Sequence, residues 1–229
     1  SALLEVPGAS NTILESHIPY SKESMNLYLN KKPDHYCSLD TCLNMAANAF
    51  KKSKQIDTTS KTKHLLGISI TANLATTYEK RGDHKFFIVV QAFDYTKYLE
   101  CYLDKGKRTR EEEEELITAC VISLLADSCG FKFSIPEIDE DISINKVAAE
   151  KSWVKLFNNK VGFISNNKSN PELIFPGSFN PLHEGHIKMK ELAEKKTGMH
   201  TTFEICANNA DKPPLTFYEI KRTLDQFQN

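Results

Sequence analysis

Two histidines, His183 and His186, close a stretch that reads FPGSFNPLHEGH from Phe175 to His186. Imidazoles three residues apart share one face of a first helical turn. Two such donors can stabilise negative charge on a phosphoryl group in transfer. Gly177 and Gly185 remove side chains where a ligand would approach the backbone, and Ser178 and Asn180 place small polar groups between them. A helix beginning near His183–Ile187 would add unpaired amides and the positive end of its dipole, both suited to phosphate. The same residues also read as a plain strand-to-helix turn with two surface or capping histidines. The glycine spacing alone leaves both readings open.

The elements that must hold this turn lie on either side of it. LIF, from Leu173, is a short apolar strand, and HIKMKELAEKKTG is an amphipathic helix ending at Gly198. TTFEICAN is a second strand, DKPPL turns the chain, and TFYEIKRTLDQF starts another helix. The order β–loop–α–β–α is the front half of a parallel α/β domain. Lys212 and Arg222, after the second strand, are cations that could meet a phosphate, or members of a turn and a solvated helix face.

PGSFNPLHEGH resembles the phosphate-binding motif of the HxGH nucleotidyltransferases, with a GSF-x-P turn followed by HEGH. Ser178 and Asn180 make it most similar to the nicotinamide-mononucleotide adenylyltransferases. The resemblance covers about Leu173 to Phe227. It implies that Gly177, Ser178, Phe179, Asn180 and Gly185 form a nucleotide-binding turn. It implies that His183 and His186 contact the triphosphate and stabilise the transition state, and that Lys212 and Arg222 lie where such enzymes bind the acceptor. ATP or CTP with Mg²⁺ would be the donor, and a phosphorylated small molecule the acceptor. The superfamily's second signature, an ISSTxxR-like stretch, does not occur in these residues. The expectation is the N-terminal half of a Rossmann-like domain over 173–229, with weak or no transferase activity in this chain by itself.

The earlier part of the chain alternates element types. SALLEVPGAS reads as the end of a helix, with sequence expected upstream of it, and NTILESHIPYS as a strand. KESMNLYL reads as a short helix, and SLDTCLNMAANAFKKSK as a longer one capped by Ser38. HLLGISITANLAT is a buried strand, and KFFIVVQAF and TKYLECYL form a hairpin. TREEEEELITACVISLLADSCG is a helix capped by Thr109 and ended at Gly130, its glutamates read as a solvated first turn. Residues 131–172 read as a connector, acidic and broken by Pro136. It holds a short helical piece, a strand in VGFISNN and the polar linker NNKSNPE.

Residues 1–130 resemble CinA-like proteins, the nicotinamide-nucleotide amidase family, through VPGAS, YSKESM and the order of the strands that follow. Several features depart from that pattern. Met25 stands where the family has Lys, TANLAT replaces a glycine-rich loop, and the E-S-x-T-G-G nucleophile motif does not occur. A hydrolase needs an activated nucleophile and an oxyanion site. His17, Tyr20 and Ser21 form no evident pair of that kind. The resemblance therefore implies a degenerate, structural or ligand-sensing domain, with homo-oligomers forming through it. A residual amidase and a non-catalytic nucleotide-binding scaffold are the alternatives to transfer. The charged loop EKRGDHK reads as solvated, or as closing over an anionic ligand.

Composition narrows the classes. The chain has 229 residues, a net charge of −1 and a hydrophobic share of 40%. There is no overall basic field for nucleic acid and no apolar run long enough for a membrane span. The six cysteines form no CxxC pair, so no metal site is expected. Free thiols among apolar residues fit a reducing compartment, and a cytoplasmic location is the expectation.

Overall fold

A computed structural model describes residues 3–78, 80–132, 134–166, 171–208 and 212–227. The fold is mixed α/β, with a four-stranded antiparallel sheet, a two-stranded parallel sheet and six α-helices among the described residues. No described helix is long and apolar enough to cross a membrane.

The larger sheet runs in the order β1 (Gly67–Asn73), β2 (His84–Gln91), β3 (Tyr95–Leu103) and β4 (Ile142–Ala148). Strand β2 is one of its two inner strands, and alternation sends its side chains to two different cores. Phe86, Ile88 and Val90 meet Leu116, Ile117, Cys120 and Leu124 on one face. Phe87 and Val89 meet Cys42, Leu43 and Ala46 on the other. The helices on those faces are α2 (Leu39–Ile56) and α3 (Arg110–Ser128), with α1 (Lys22–Leu29) beside α2. Helix α2 approaches β1 so closely that a Cβ at Gly67 would collide with the backbone of Ala46 and Phe50.

Helix ends follow the expected chemistry. Ser38 Oγ accepts from Thr41 N at 3.2 Å. Thr109 and Glu112 form a reciprocal capping box, Glu112 N donating to Thr109 Oγ1 at 3.2 Å and Thr109 N to Glu112 Oε2 at 2.7 Å. Gly130, with φ of 84°, turns the chain out of α3.

Four expectations are corrected. Residues 12–20 form no strand: they have no pairing partner, and Ile18 and Tyr20 are 83% and 87% exposed. The opening has no helical end among its described residues, only turns and a 3₁₀ segment at Ala9–Asn11. The connector contains β4, which pairs with β3 from Tyr95↔Ala148 to Cys101↔Ile142, and VGFIS remains without a strand. The glutamate run is not all solvated. Glu113 has no exposed side-chain surface and accepts from His84 Nδ1 at 2.8 Å and Ala75 N at 2.6 Å.

After α4 (Lys151–Phe157), the parallel pair β5 (Leu173–Gly177) and β6 (Thr201–Ile205) is linked by α5 (Glu184–Thr197). This is a βαβ unit. Helix α6 (Phe217–Asp225) then packs back onto the larger sheet, where Phe217 and Ile220 join Trp153 and Val147, and Tyr218 meets Tyr98. The polar linker falls at 167–170, outside the described residues except at its two ends.

Candidate functional site

The Gly177–His186 turn leaves β5, folds over an aromatic box and enters α5. Phe179 is its plug. The ring is 2% exposed and packs edge-on against Phe175, Phe203 and Phe227, with centroids 5.0–5.8 Å apart. Its backbone takes φ of 45°, unusual for a side chain with a Cβ. Burial of the ring offsets that strain. The plug also explains Gly177, because a Cβ there would lie 2.6 Å from Phe179 Cζ. Phe179 therefore shapes the turn from within, and a ligand would meet its backbone, not its ring. Ser178 and Asn180 are exposed on the rim, and Asn180 precedes Pro181 through a cis bond.

His183 and His186 come together as the sequence spacing implies. Their rings stack with centroids 3.7 Å apart and planes 24° apart. His183 is the N-cap of α5, and His186 sits three positions into the helix. His183 N donates to His186 Nδ1 at 3.3 Å. That bond makes Nδ1 the acceptor, so the neutral ring of His186 carries its proton on Nε2. Phe175 and Phe179 flank the His186 ring at 6.1 and 5.2 Å and hold its orientation. Gly185 lets the two rings stack: a Cβ there would lie 3.0 Å from the His183 ring. Of the first-turn amides of α5, His186 N already donates to His183 O at 2.9 Å, so Glu184 N and Gly185 N are the two with no preceding helical carbonyl to accept from them. The result is a small set of N–H donors gathered at one helix start.

Helix α6 anchors the turn from outside. Gln226 Oε1 accepts from Leu182 N at 2.7 Å, and its Nε2 donates to Phe179 O at 2.9 Å. Arg222, one helical turn earlier, donates to Asn180 Oδ1 at 3.4 Å and to Asp40 Oδ1 at 2.8 Å. The structure thus brings Arg222 to the turn but commits it to protein partners. Burial works against its charge, yet Asp40 and Glu219 hold its pKa above the usual arginine value. Lys212 is exposed and lies near Lys31, whose pKa burial lowers and Lys212 lowers further. Gln226 was not singled out in the sequence. The available signal was its i, i+4 spacing from Arg222, which puts both on one helix face.

Among the described residues, no three or more His, Cys, Asp or Glu side chains converge to hold a metal ion. In the first segment, His17 contacts Glu15 and lies 5.4 Å from the Tyr28 ring. Ser21 Oγ is used as the cap of α1, accepting from Ser24 N at 3.1 Å, and Tyr20 is open to solvent. These contacts include no base–nucleophile pair. In the EKRGDHK loop, Glu79 lies outside the described residues. Lys80 Nζ donates to Asn73 Oδ1 and Leu74 O, each at 3.0 Å, and His84 is buried on Glu113.

Comparison with protein-family models, with curated proteins and with solved structures finds no match for this chain. The class that stands on the structure itself is a mixed α/β protein in which a strand–turn–helix presents two stacked histidines.

Proposed function

We propose that the Gly177–His186 turn holds the phosphates of a nucleoside triphosphate, ATP or CTP. The reaction it would serve moves an adenylyl or cytidylyl group to a phosphorylated small molecule, with nicotinamide mononucleotide a candidate acceptor. The observation that carries the reading is the His183 N–H bond to His186 Nδ1 at the start of α5, which leaves Nε2 as the proton-bearing nitrogen of the neutral ring. A donor fixed in this way needs no reorganisation when charge builds on a phosphate oxygen.

In the proposed step, an acceptor phosphate oxygen attacks the α-phosphorus in line. The new P–O bond forms as the bond to the β-phosphate oxygen breaks, and pyrophosphate leaves with the electron pair. No covalent enzyme intermediate is required. His186 and the helix start offset the charge on the phosphates, and positioning supplies most of the rate. Mg²⁺ would travel with the triphosphate, because the described residues include no ready metal cluster.

A second reading has an observation in its favour. Met189 and Leu192 on α5 are 59% and 53% exposed, an apolar surface suited to packing against further protein. On that reading the turn binds nucleotide within a scaffold and performs no transfer.

Equilibrium binding of ATP and CTP to the wild type and to His186→Ala tests the site, and pyrophosphate release with a phosphorylated acceptor tests the chemistry. Removing one charge-assisted bond should weaken triphosphate binding about tenfold or more. Unchanged affinity in the variant would overturn the site. Binding without pyrophosphate release would favour the scaffold.

A further inference from the structure

Away from the histidine turn, a cleft of about 290 Å³ opens between the end of α2, the β2–β3 turn, the end of α4 and the approach to α6. Lys51 and Lys54 line it, together with the half-buried rings of Phe93 and Phe157 and the amides of Asn158 and Asn208. Its volume is near the lower end for small-molecule sites.

The two lysines are three residues apart and share a face of α2. Lys54 Nζ lies 5.3 Å from the Phe50 ring centroid. Burial lowers the pKa of Lys54, and the charge of Lys51 lowers it further. No carboxylate among the described residues offsets this effect on Lys54. Two half-buried like charges three residues apart are a cost that a bound anion would relieve.

Another part of the lining is aromatic and hydrogen-bonded. Gln91 is fixed as part of its wall: Nε2 donates to Ala92 O at 2.8 Å, and Oε1 accepts from Thr96 Oγ1 at 2.7 Å. Thr96 Oγ1 also accepts from Phe217 N at 2.9 Å. Phe217 in turn stacks on Trp153 at 6.3 Å and meets Phe157 edge-on at 5.3 Å. Asn158 Nδ2 is spent on Val154 O at 2.7 Å, which leaves its Oδ1 as an acceptor for a ligand N–H.

We propose that this cleft binds a small phosphorylated planar-ring compound of about mononucleotide size, its phosphate between Lys51 and Lys54 and its ring against Phe93 and Phe157. The site is separate from the histidine turn. It meets α6 at Phe217, the first residue of the helix, whereas the turn is tied to Gln226 beyond the last. The inference therefore stands whether or not the turn binds a triphosphate.

Trp153, the only tryptophan in the chain, stacks on a ring that lines the cleft and gives a local optical signal. AMP, adenosine and inorganic phosphate are titrated separately against the wild type, the Lys51→Gln/Lys54→Gln double variant and His186→Ala. AMP should change Trp153 emission and bind more tightly than adenosine or phosphate. The double variant should weaken AMP roughly tenfold or more while its thermal melt stays close to wild type, since both lysines are only partly buried. The Trp153 emission change on adding AMP, which reads the cleft and not the turn, should persist in His186→Ala. The proposal is overturned if AMP fails to bind up to about 1 mM, if the lysine variant binds it unchanged, or if His186→Ala abolishes that emission change.

Discussion

Arg222 and Asp40, 182 positions apart in sequence, are joined by a 2.8 Å hydrogen-bonded ion pair. The pair fastens α6 to the first turn of α2, while the same guanidinium reaches Asn180 in the histidine turn. Helix α6 thereby links the larger sheet to the βαβ unit. Both side chains of the pair are partly exposed, at 33% and 57%, so solvent screens it. Arg222→Gln should cost about 1 kcal/mol or less. Urea unfolding measures this as a small shift of midpoint with an unchanged slope. A loss of several kcal/mol would mean that Arg222 carries more of the α6 docking than these contacts provide.

Gln226 should matter more than its position near the end of α6 implies. Its side chain satisfies both Leu182 N and Phe179 O in partly buried surroundings. Gln226→Ala leaves a donor and an acceptor without that partner, at a cost of about 1–3 kcal/mol. Faster hydrogen exchange at the Leu182 amide, with little change at amides in β2, is the expected result. Uniform acceleration across the chain would point to global destabilisation instead of a released turn.

How much of this was legible in the sequence depends on the range of the interaction. Ser38, Thr109 and Gly130 act within a few residues of themselves, and local chemistry placed the ends of α2 and α3. The meeting of His183 and His186 is also local: i, i+3 spacing was enough to expect a shared face, though not that the rings would stack. Strand β4 was hidden because it lies at the sheet edge: its interior residues from Ser143 to Lys146 are exposed, so almost no apolar alternation marks it. Glu113 was hidden for another reason. Its two neighbours on each side are all glutamates, and its buried partner His84 is 29 positions away. The same distance effect concealed the tie between Arg222 and Asp40.

Glu113 is accordingly a test of buried polar pairing. Its carboxylate is fully enclosed and receives His84 Nδ1 and Ala75 N. Glu113→Ala removes both acceptors and strands two donors near the core. The loss should be about 2–5 kcal/mol, far above that of Glu114→Ala, whose ion pair with Arg110 is solvent-exposed. Chemical denaturation of the two variants side by side gives the comparison. Similar stabilities would refute the distinction between a buried and a solvated glutamate in this run.

Glu140 sets an acid limit on the segment leading into β4. It receives both terminal nitrogens of Arg108, with the Nη2–Oε2 contact at 2.9 Å, and lies 3.5 Å from Lys107. Hydrogen bonding from Arg108 is the main cause that draws its pKa down to about 2, below the 4.5 of an ordinary glutamate, and outweighs the opposing effect of burial. Between these two values the unfolded chain binds a proton that the folded chain does not. The stabilisation from Glu140 is therefore complete above about pH 4.5 and is lost as pH falls through about 2. Glu140→Gln removes this titration while keeping one acceptor for Arg108. Stability measured by urea unfolding should differ most between wild type and variant at neutral pH, with the gap narrowing as pH drops from 4.5 towards 2. A gap that stayed constant over that window would show that the Arg108 contact gains nothing from the ionised carboxylate.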